Sequence, residues 1–340
     1  MNDRERDSGV KTPMLLAGDV GGTKTLVALF ALQRGRPVLT VQHQVRSREY
    51  ADLEALLKAF LAGRRVRLAA ACFGVAGLVA NGRCEGTNLP WTVDVRRLQA
   101  ALGTKTVCLL NDLEAMAYGI DALPARSFLV LNRGQALADG TRAVLAAGTG
   151  LGEALLVWDG QRYRAIPSEG GHVDFSATNE TEVELWRYLH ARFGHVSYER
   201  ILSGPGKVAL YEFLRDTGRG REPRWLTRQL AVRDPSPVIS ELAVSRRSPL
   251  CVKALELFVS IYGAEAGNLA LKSLARGGVY VGGGIAPTIL PILRRGAFMR
   301  AFMDKGRFSS LLRRIPVRVI LEPRSGLFGA AWYAAQLLLS

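Results

Sequence analysis

Apolar positions along this chain fall into short continuous runs punctuated by glycine turns, with helical spacing in between. After a polar leader over residues 1–13, MLLAGDV and KTLVALF read as two strands joined by Gly21, Gly22 and Thr23, a hairpin with a glycine-rich turn. The segment AVLAAGTGLGEALLVW repeats that pattern: a strand, then Gly148, Thr149, Gly150, Leu151 and Gly152, then a second strand. Two such hairpins, each opening a stretch of alternating strands and helices, predict duplication of one α/β unit. Between them, Leu53, Leu56, Leu57, Phe60 and Leu61 recur at helical spacing, with Gly63 placed as a C-terminal cap. LAAACFG and TVCLLN read as buried strands, and Leu113, Met116, Ala117 and Ile120 mark one face of a helix that starts at Asn111 or Asp112.

In the second half, Asn179 and Glu182 have capping-box spacing ahead of a helix that carries Val183, Trp186, His190 and Phe193 on one face. A long helix is predicted from about Pro249 to Leu274. GGVYVGGGIAP follows as a strand ending in three glycines, with Pro287 as the first residue of the next helix. GLFGAAWYAAQLLLS closes the chain as a helix.

Length and composition set the class. At 340 residues the chain suits two domains, and 48% hydrophobic with 22% charged residues excludes disorder or a fibrous repeat. The net charge of +15 raises nucleic acid as a partner, but the basic residues are scattered. The one dense cluster, Arg64, Arg65 and Arg67, has no interleaved aromatics to stack bases, so no nucleic acid is expected. Cys72, Cys84, Cys108 and Cys251 form no C-x-x-C pair and read as reduced core residues. With no apolar run long enough to span a bilayer and no apolar segment behind the leader, no membrane partner is expected and the location is cytoplasmic.

Several constellations carry chemistry. Asp19, Val20, Gly21, Gly22 and Thr23 set a carboxylate at a strand end before a turn where backbone N–H groups can reach phosphate oxygens. Read alone, this turn and the one at Gly148 to Gly152 are as readily ordinary hairpin turns as phosphate loops; together they suit a nucleotide's phosphate chain gripped from both sides. Neither is a Walker A loop or a dinucleotide fingerprint. Gly282, Gly283 and Gly284 form either a tight strand-to-helix turn or a flat surface for an adenine or ribose. Asn111 and Asp112 stand at the carboxyl end of a strand, where open α/β sheets bind ligands. Helix capping explains one polar residue there and gives no reason for two. Glu169 and His172 flank a Gly-Gly turn, and Glu199 precedes a Gly-Pro-Gly turn, a set able to match the hydroxyls of a sugar. Taken singly, Glu199 reads as a solvated helix residue and His172 as a loop histidine. No third ligand at suitable spacing supports zinc at Glu169 and His172.

In order along the chain, AGDVGGT, NDLEAMAYGI, GTGLG, SEGGHVDF, YERILSGPG, GGVYVGGGIAP and SGLFGAA resemble the bacterial glucokinases, members of the hexokinase, actin and Hsp70-like ATPase fold. The resemblance implies an α/β protein of two ribonuclease H-like domains with ATP and sugar in an interdomain cleft. It implies a smaller domain over 14–122 plus 325–340 and a larger one over 123–324. Gly18 to Thr23 and Gly148 to Gly152 become the two phosphate loops, and Gly282 to Gly284 lies by the adenosine. Asn111, Asp112, Glu169, His172 and Glu199 match the sugar-binding positions, Asp112 the catalytic base. NLPW at Asn88 to Trp91 is a further sugar-side candidate. Lys24 departs from the family's usual residue and is shared with the related ROK family. The ROK cysteine cluster is absent after His172, and no helix-turn-helix is read before the first hairpin, which argues against a sugar-responsive repressor.

The activity so implied is ATP-dependent phosphorylation of glucose at the 6-hydroxyl, feeding glycolysis, in a homodimer. Mg²⁺ would bridge the phosphates, with Asp19 holding it through water. The alternatives are a hexokinase of different specificity (mannose, fructose or an N-acetylated sugar), a polyphosphate-dependent glucokinase, and a non-catalytic sugar-binding regulator.

Overall fold

The computed structural model describes residues 13–85 and 91–338, so Asn88 to Pro90 of NLPW and all but Pro13 of the leader lie outside the described residues. The chain divides into two compact units, Met1–Leu123 with Arg324–Ser340, and Pro124–Pro323.

In the first unit, β1 (Met14–Val20), β2 (Lys24–Gln33), β3 (Arg36–Arg46), β4 (Leu68–Val75) and β5 (Val107–Asn111) form a sheet in the order β3-β2-β1-β4-β5. The first three strands are antiparallel neighbours, whereas β4 runs parallel to β1 and β5 parallel to β4. The apolar runs seen in the sequence are strands buried on both faces: Leu15, Leu16, Ala17, Ala71, Cys72 and Phe73 are fully enclosed. The helices Asp112–Ala122 and Ser325–Gln336 cross with their backbones nearly touching. A side chain at Gly329 would place its first carbon 2.5 Å from the Gly119 nitrogen, and one at Gly119 would meet the Ser325 backbone at 3.1 Å. Such an approach needs glycine on both helices.

The second unit repeats the plan. Its strands are β6 (Phe128–Asn132), β7 (Arg142–Ala147), β8 (Leu151–Trp158), β9 (Tyr163–Ser168), β10 (Gly278–Gly282) and β11 (Val317–Ile320). They are ordered β9-β8-β7-β10-β11-β6. Apart from the added edge strand β6, this is the strand order and orientation of the first sheet, the duplicated α/β unit that the two hairpins predicted and the resemblance gave as ribonuclease H-like. The helix Pro249–Lys272 buries Phe258 and Tyr262 completely against this sheet. The Tyr262 hydroxyl donates to the Leu145 carbonyl at 3.3 Å and accepts from the Ala147 N–H at 3.2 Å, which fixes the end of β7 just before Gly148.

Three local expectations are corrected. The helix after β10 begins at Ile285 with Gly284 as its N-cap, so Pro287 is its third residue rather than its first. The helix Glu180–Phe193 buries Glu182, Leu185 and Leu189, whereas Trp186 and His190 stack on each other at 4.6 Å on the exposed side. The stripe predicted through Val183, Trp186, His190 and Phe193 is therefore one position off the buried seam. Asn179 does cap that helix, but the Glu182 carboxylate turns to the Thr178 N–H and hydroxyl, at 2.7 and 2.8 Å, instead of closing the box.

Candidate active site

The first unit sets its polar residues at the carboxyl ends of parallel strands, where the sheet's own peptide groups are already paired. Asp112 is the first residue of its helix and follows β5 directly; its Oδ1 accepts the Leu113 N–H at 2.9 Å. Asn111 is the cap: its Oδ1 also accepts from Leu113 at 2.9 Å, while its backbone N–H donates to Glu114 Oε2 at 2.8 Å, completing a capping box. Asn111 Nδ2 donates to the Gly77 carbonyl at 3.1 Å. Capping thus accounts for Asn111, and it leaves Asp112 as the carboxylate standing at the strand end.

Asp19, the penultimate residue of β1, lies in the same corner, paired in register with Gly74 of β4. Gly74 clears the way, since a side-chain carbon there would meet Ala115 Cβ at 2.7 Å and Asp112 Cα at 3.8 Å. On the other side, a carbon at Gly326 would come within 3.4 Å of the Asp19 carboxylate, so the amino end of the helix Ser325–Gln336 reaches it unobstructed. Burial first, and then the charge of Asp112, pushes the Asp19 carboxyl up to about 6. Two carboxylates that raise one another's cost suit a cation bound beside them. Among the described residues no cluster of three or more His, Cys, Asp or Glu could hold a metal by protein ligands alone.

The turn from Val20 to Thr23 is anchored from outside the hairpin. Ser47 Oγ donates to the Gly21 carbonyl at 2.6 Å and its N–H to the Thr23 carbonyl at 3.1 Å, while Gly21 donates to Lys24 O at 3.0 Å. Gly18 sits inside β1, where a side chain would collide with the Phe73 ring at 2.6 Å, and Val20 is fully buried. Both positions support the turn from behind.

In the second unit, Glu199 joins two of the predicted groups. Its Oε2 accepts the Leu151 N–H at 2.9 Å, bracing the Gly148 to Gly152 turn, and its own N–H donates to the Gly171 carbonyl at 2.8 Å. Its Oε1 lies 3.9 Å from His172 Nδ1, and His172 Nε2 lies 3.9 Å from Glu169 Oε2. Glu169, His172 and Glu199 therefore form one row beside the second glycine turn. Glu169 and His172 are exposed, and Glu199 is half-buried. Within the turn Gly148 donates to Gly150 O at 2.8 Å and Thr149 is exposed, while Gly152 is the second residue of β8. The Gly204 N–H donates to Gly148 O at 2.8 Å, tying the helix Gly204–Asp216 to the turn.

Gly282 ends β10, and Gly283 takes φ +83° with Ala147 backbone 2.9 Å from where a side chain would start, so no other residue fits there. Gly284 is exposed and opens onto a cavity of about 590 Å³ bounded by Lys207, Ser240, Val244, Ile285 and Thr288.

Two buried groups escaped the sequence reading. Glu153, on β8 one residue past the glycine turn, and Glu265, on the helix Pro249–Lys272, are 2% and 0% exposed. Burial, then the charge of Glu265, pushes Glu153 up to about 8, so the pair holds a proton near neutrality. Asn268 Nδ2 donates to Glu265 Oε2 and to the Tyr198 hydroxyl, both at 2.9 Å, which backs the residue next to Glu199. Lys207 is the second, 2% exposed, with Nζ 2.5 Å from Ser240 Oγ. An acid in an otherwise apolar strand and a lysine in an apolar helix were the available signals.

The glucokinase family model matches residues 16–337. The chain belongs to the glucokinase family. It is 39% identical over 339 residues to the glucokinase of Nostoc punctiforme, with 95% of this chain and 99% of that one covered. It is 40% identical over 346 residues to the glucokinase of Synechocystis, covering 94% and 98%. Among solved structures, a glucokinase from an Antarctic psychrotroph aligns with TM-score 0.84 and 30% identity over 95% of this chain and 99% of that one. A ROK family glucokinase from Streptomyces griseus, in complex with glucose and AMPPNP, aligns with TM-score 0.64 at 20% identity over 95% and 99%, a likeness of fold. The fold is that of the actin-like ATPase sugar kinases, and as a member of this family the chain is an enzyme.

Proposed function

We propose that this enzyme transfers the γ-phosphate of ATP to the 6-hydroxyl of glucose, with Asp112 as the base. The observation that carries the reading is the row Glu169, His172 and Glu199 braced on the Gly148 to Gly152 turn, in a chain of the glucokinase family. Carboxylates accept and imidazole donates or accepts, so this row matches vicinal sugar hydroxyls, which do both. A turn that shares Glu199 with that row links phosphate and sugar recognition through one side chain.

In-line phosphoryl transfer needs positioning and charge neutralisation more than covalent help from protein groups. Asp112 accepts the proton of the attacking hydroxyl, and its anchored helix start keeps the carboxylate in one place. Asn111 fixes that start through its bonds to Leu113, Glu114 and Gly77. With the Gly21, Gly148 and Leu151 N–H groups spent inside the turns, the backbone N–H groups of Gly22, Thr23, Thr149 and Gly150 would supply donors for phosphate oxygens, while Gly282 to Gly284 borders the adenosine. Mg²⁺ fits the corner of Asp19, whose carboxyl is held up by burial and by Asp112. Bound there through water, it would supply positive charge to the phosphate oxygens.

The proposal extends to a homodimer and to the cytoplasm. Free cysteines at positions 72, 84, 108 and 251 accord with a reducing compartment, and no described helix is long and apolar enough to cross a membrane. The test is an ADP-coupled assay with ATP, Mg²⁺ and a panel of hexoses. Glucose should give the highest kcat/KM; no turnover with any hexose, or turnover only with polyphosphate as donor, contradicts the reading.

A further inference from the structure

Lys207 is buried to 2% exposure on the helix Gly204–Asp216, yet among the described residues its ammonium hydrogen-bonds only to the Ser240 hydroxyl and pairs with no carboxylate. An ammonium so placed costs folding free energy, because a hydroxyl replaces little of the water it has lost. Burial accordingly pulls its pKa down to about 8, against the opposing charge of Asp234. The carboxylate on the cavity wall, Glu241, is engaged by Arg233 at 2.8 Å. Packing alone gives no reason for lysine here, since a methionine would fill the same space without a charge.

The cavity supplies the reason. Its about 590 Å³ lies within the ordinary range for small-molecule sites, and it opens beside Gly284. Pro237, Val244 and Ile285 offer flat apolar contact, and Ser236, Ser240 and Thr288 offer hydroxyls. The helix that carries Lys207 is tied at its start, Gly204, to the Gly148 carbonyl, and Lys207 follows one helical turn later, ~4.5 Å along the axis. A molecule with phosphates at the second glycine turn and an aromatic ring in the cavity spans that short distance.

We propose that Lys207 sets specificity for the nucleoside part of the phosphate donor, donating a hydrogen bond to an acceptor atom of the base seated in this cavity. The inference rests on the reading of ATP as donor. A donor-only cation on the wall of a cavity whose one lining carboxylate, Glu241, is paired with Arg233 selects a ring with an accessible lone pair, and it leaves the phosphates to the glycine turns. A nucleoside binds by displacing no ion pair, so the lysine's unmet donors are satisfied only when the site is filled.

The test compares wild type with Lys207→Met, using adenosine and inorganic tripolyphosphate as separate probes of the two ends of the donor. Expected are a rise of about tenfold or more in KM for ATP and a similar loss of adenosine inhibition. Tripolyphosphate inhibition and the KM for glucose should stay within twofold, and the ligand-free variant should melt higher than wild type. Equal loss of tripolyphosphate inhibition would move Lys207 to the phosphates and overturn the proposal. So would unchanged adenosine inhibition together with a lower melting temperature, the mark of a structural lysine. Val244→Phe, which fills the cavity and keeps Lys207, should also abolish adenosine inhibition; retained inhibition contradicts the assignment of the cavity. Adenosine binding to unreacted protein, read as a melting shift, separates this inference from the function above. A wild type that binds adenosine but phosphorylates no hexose fails only the function. One that phosphorylates glucose with ATP while Lys207→Met changes nothing fails only the inference.

Discussion

Gly150→Ala should impair glucose binding while leaving the fold intact. An alanine carbon at this position would stand 3.2 Å from Glu199 Cδ and closer still to Oε2. The obstacle is the far end of a flexible side chain and not backbone, so the carboxylate swings aside. In doing so it gives up the 2.9 Å bond from the Leu151 N–H and leaves its place beside His172. A hydrogen bond to a charged group contributes about 1.5–3 kcal/mol. Glu199 keeps 32% of its side chain exposed, so solvent screening puts the loss at the lower end. At about 1.4 kcal/mol per factor of ten, the KM for glucose should rise about tenfold, with a smaller change for ATP. Steady-state kinetics with each substrate varied at saturating levels of the other reads both values. A folded variant whose glucose KM stays within twofold of wild type refutes the coupling of the turn to the sugar row through Glu199.

Glu153→Gln should flatten the pH dependence of stability. The folded-state pKa of Glu153 lies above its unfolded value, so wild type holds the extra proton on folding and loses stability as pH rises from about 4.5 to about 8. Glutamine carries no charge to desolvate, so its advantage over wild type should appear above pH 8 and vanish near pH 4; parallel melting profiles contradict the buried-pair argument. Gly329→Ala should cost about 1–3 kcal/mol of stability, because a methyl group there strikes Gly119 and Ala115 backbone, and an unchanged melting temperature would show that the two helices can separate at no cost. Asp19, with its carboxyl near 6, should lose its hold on Mg²⁺ as it protonates below that pH. The half-saturating Mg²⁺ concentration should thus rise between pH 7 and pH 5 in wild type and be raised at both in Asp19→Asn; identical Mg²⁺ curves in the two proteins remove the metal from Asp19.

The strands, both hairpins and the helix start at Asn111 were legible because each is written locally, as an apolar run, a glycine turn or a capping pattern. Glu169, His172 and Glu199 were legible as polar residues at glycine turns that could match a sugar, but not their joining into one row, since no spacing rule brings position 199 to Leu151. What was lost is tertiary. Ser47 reaches Gly21 from 26 residues away, and Glu265 reaches Glu153 from another element entirely. The helix Glu180–Phe193 turned on its axis because burying Leu185 and Leu189, with Glu182 tied to Thr178, outweighed burying Trp186. Pro287 misled because proline is also tolerated at the third residue of a helix, where its missing N–H leaves no bond unmade.

The most direct test of the account is the pair of measurements kcat and glucose affinity in Asp112→Asn. The variant keeps the size of the side chain and an oxygen to accept from Leu113, and it loses the basic carboxylate. The account predicts a fall in kcat by about 10²–10⁴, with the glucose-induced melting shift retained. Turnover near that of wild type would contradict it.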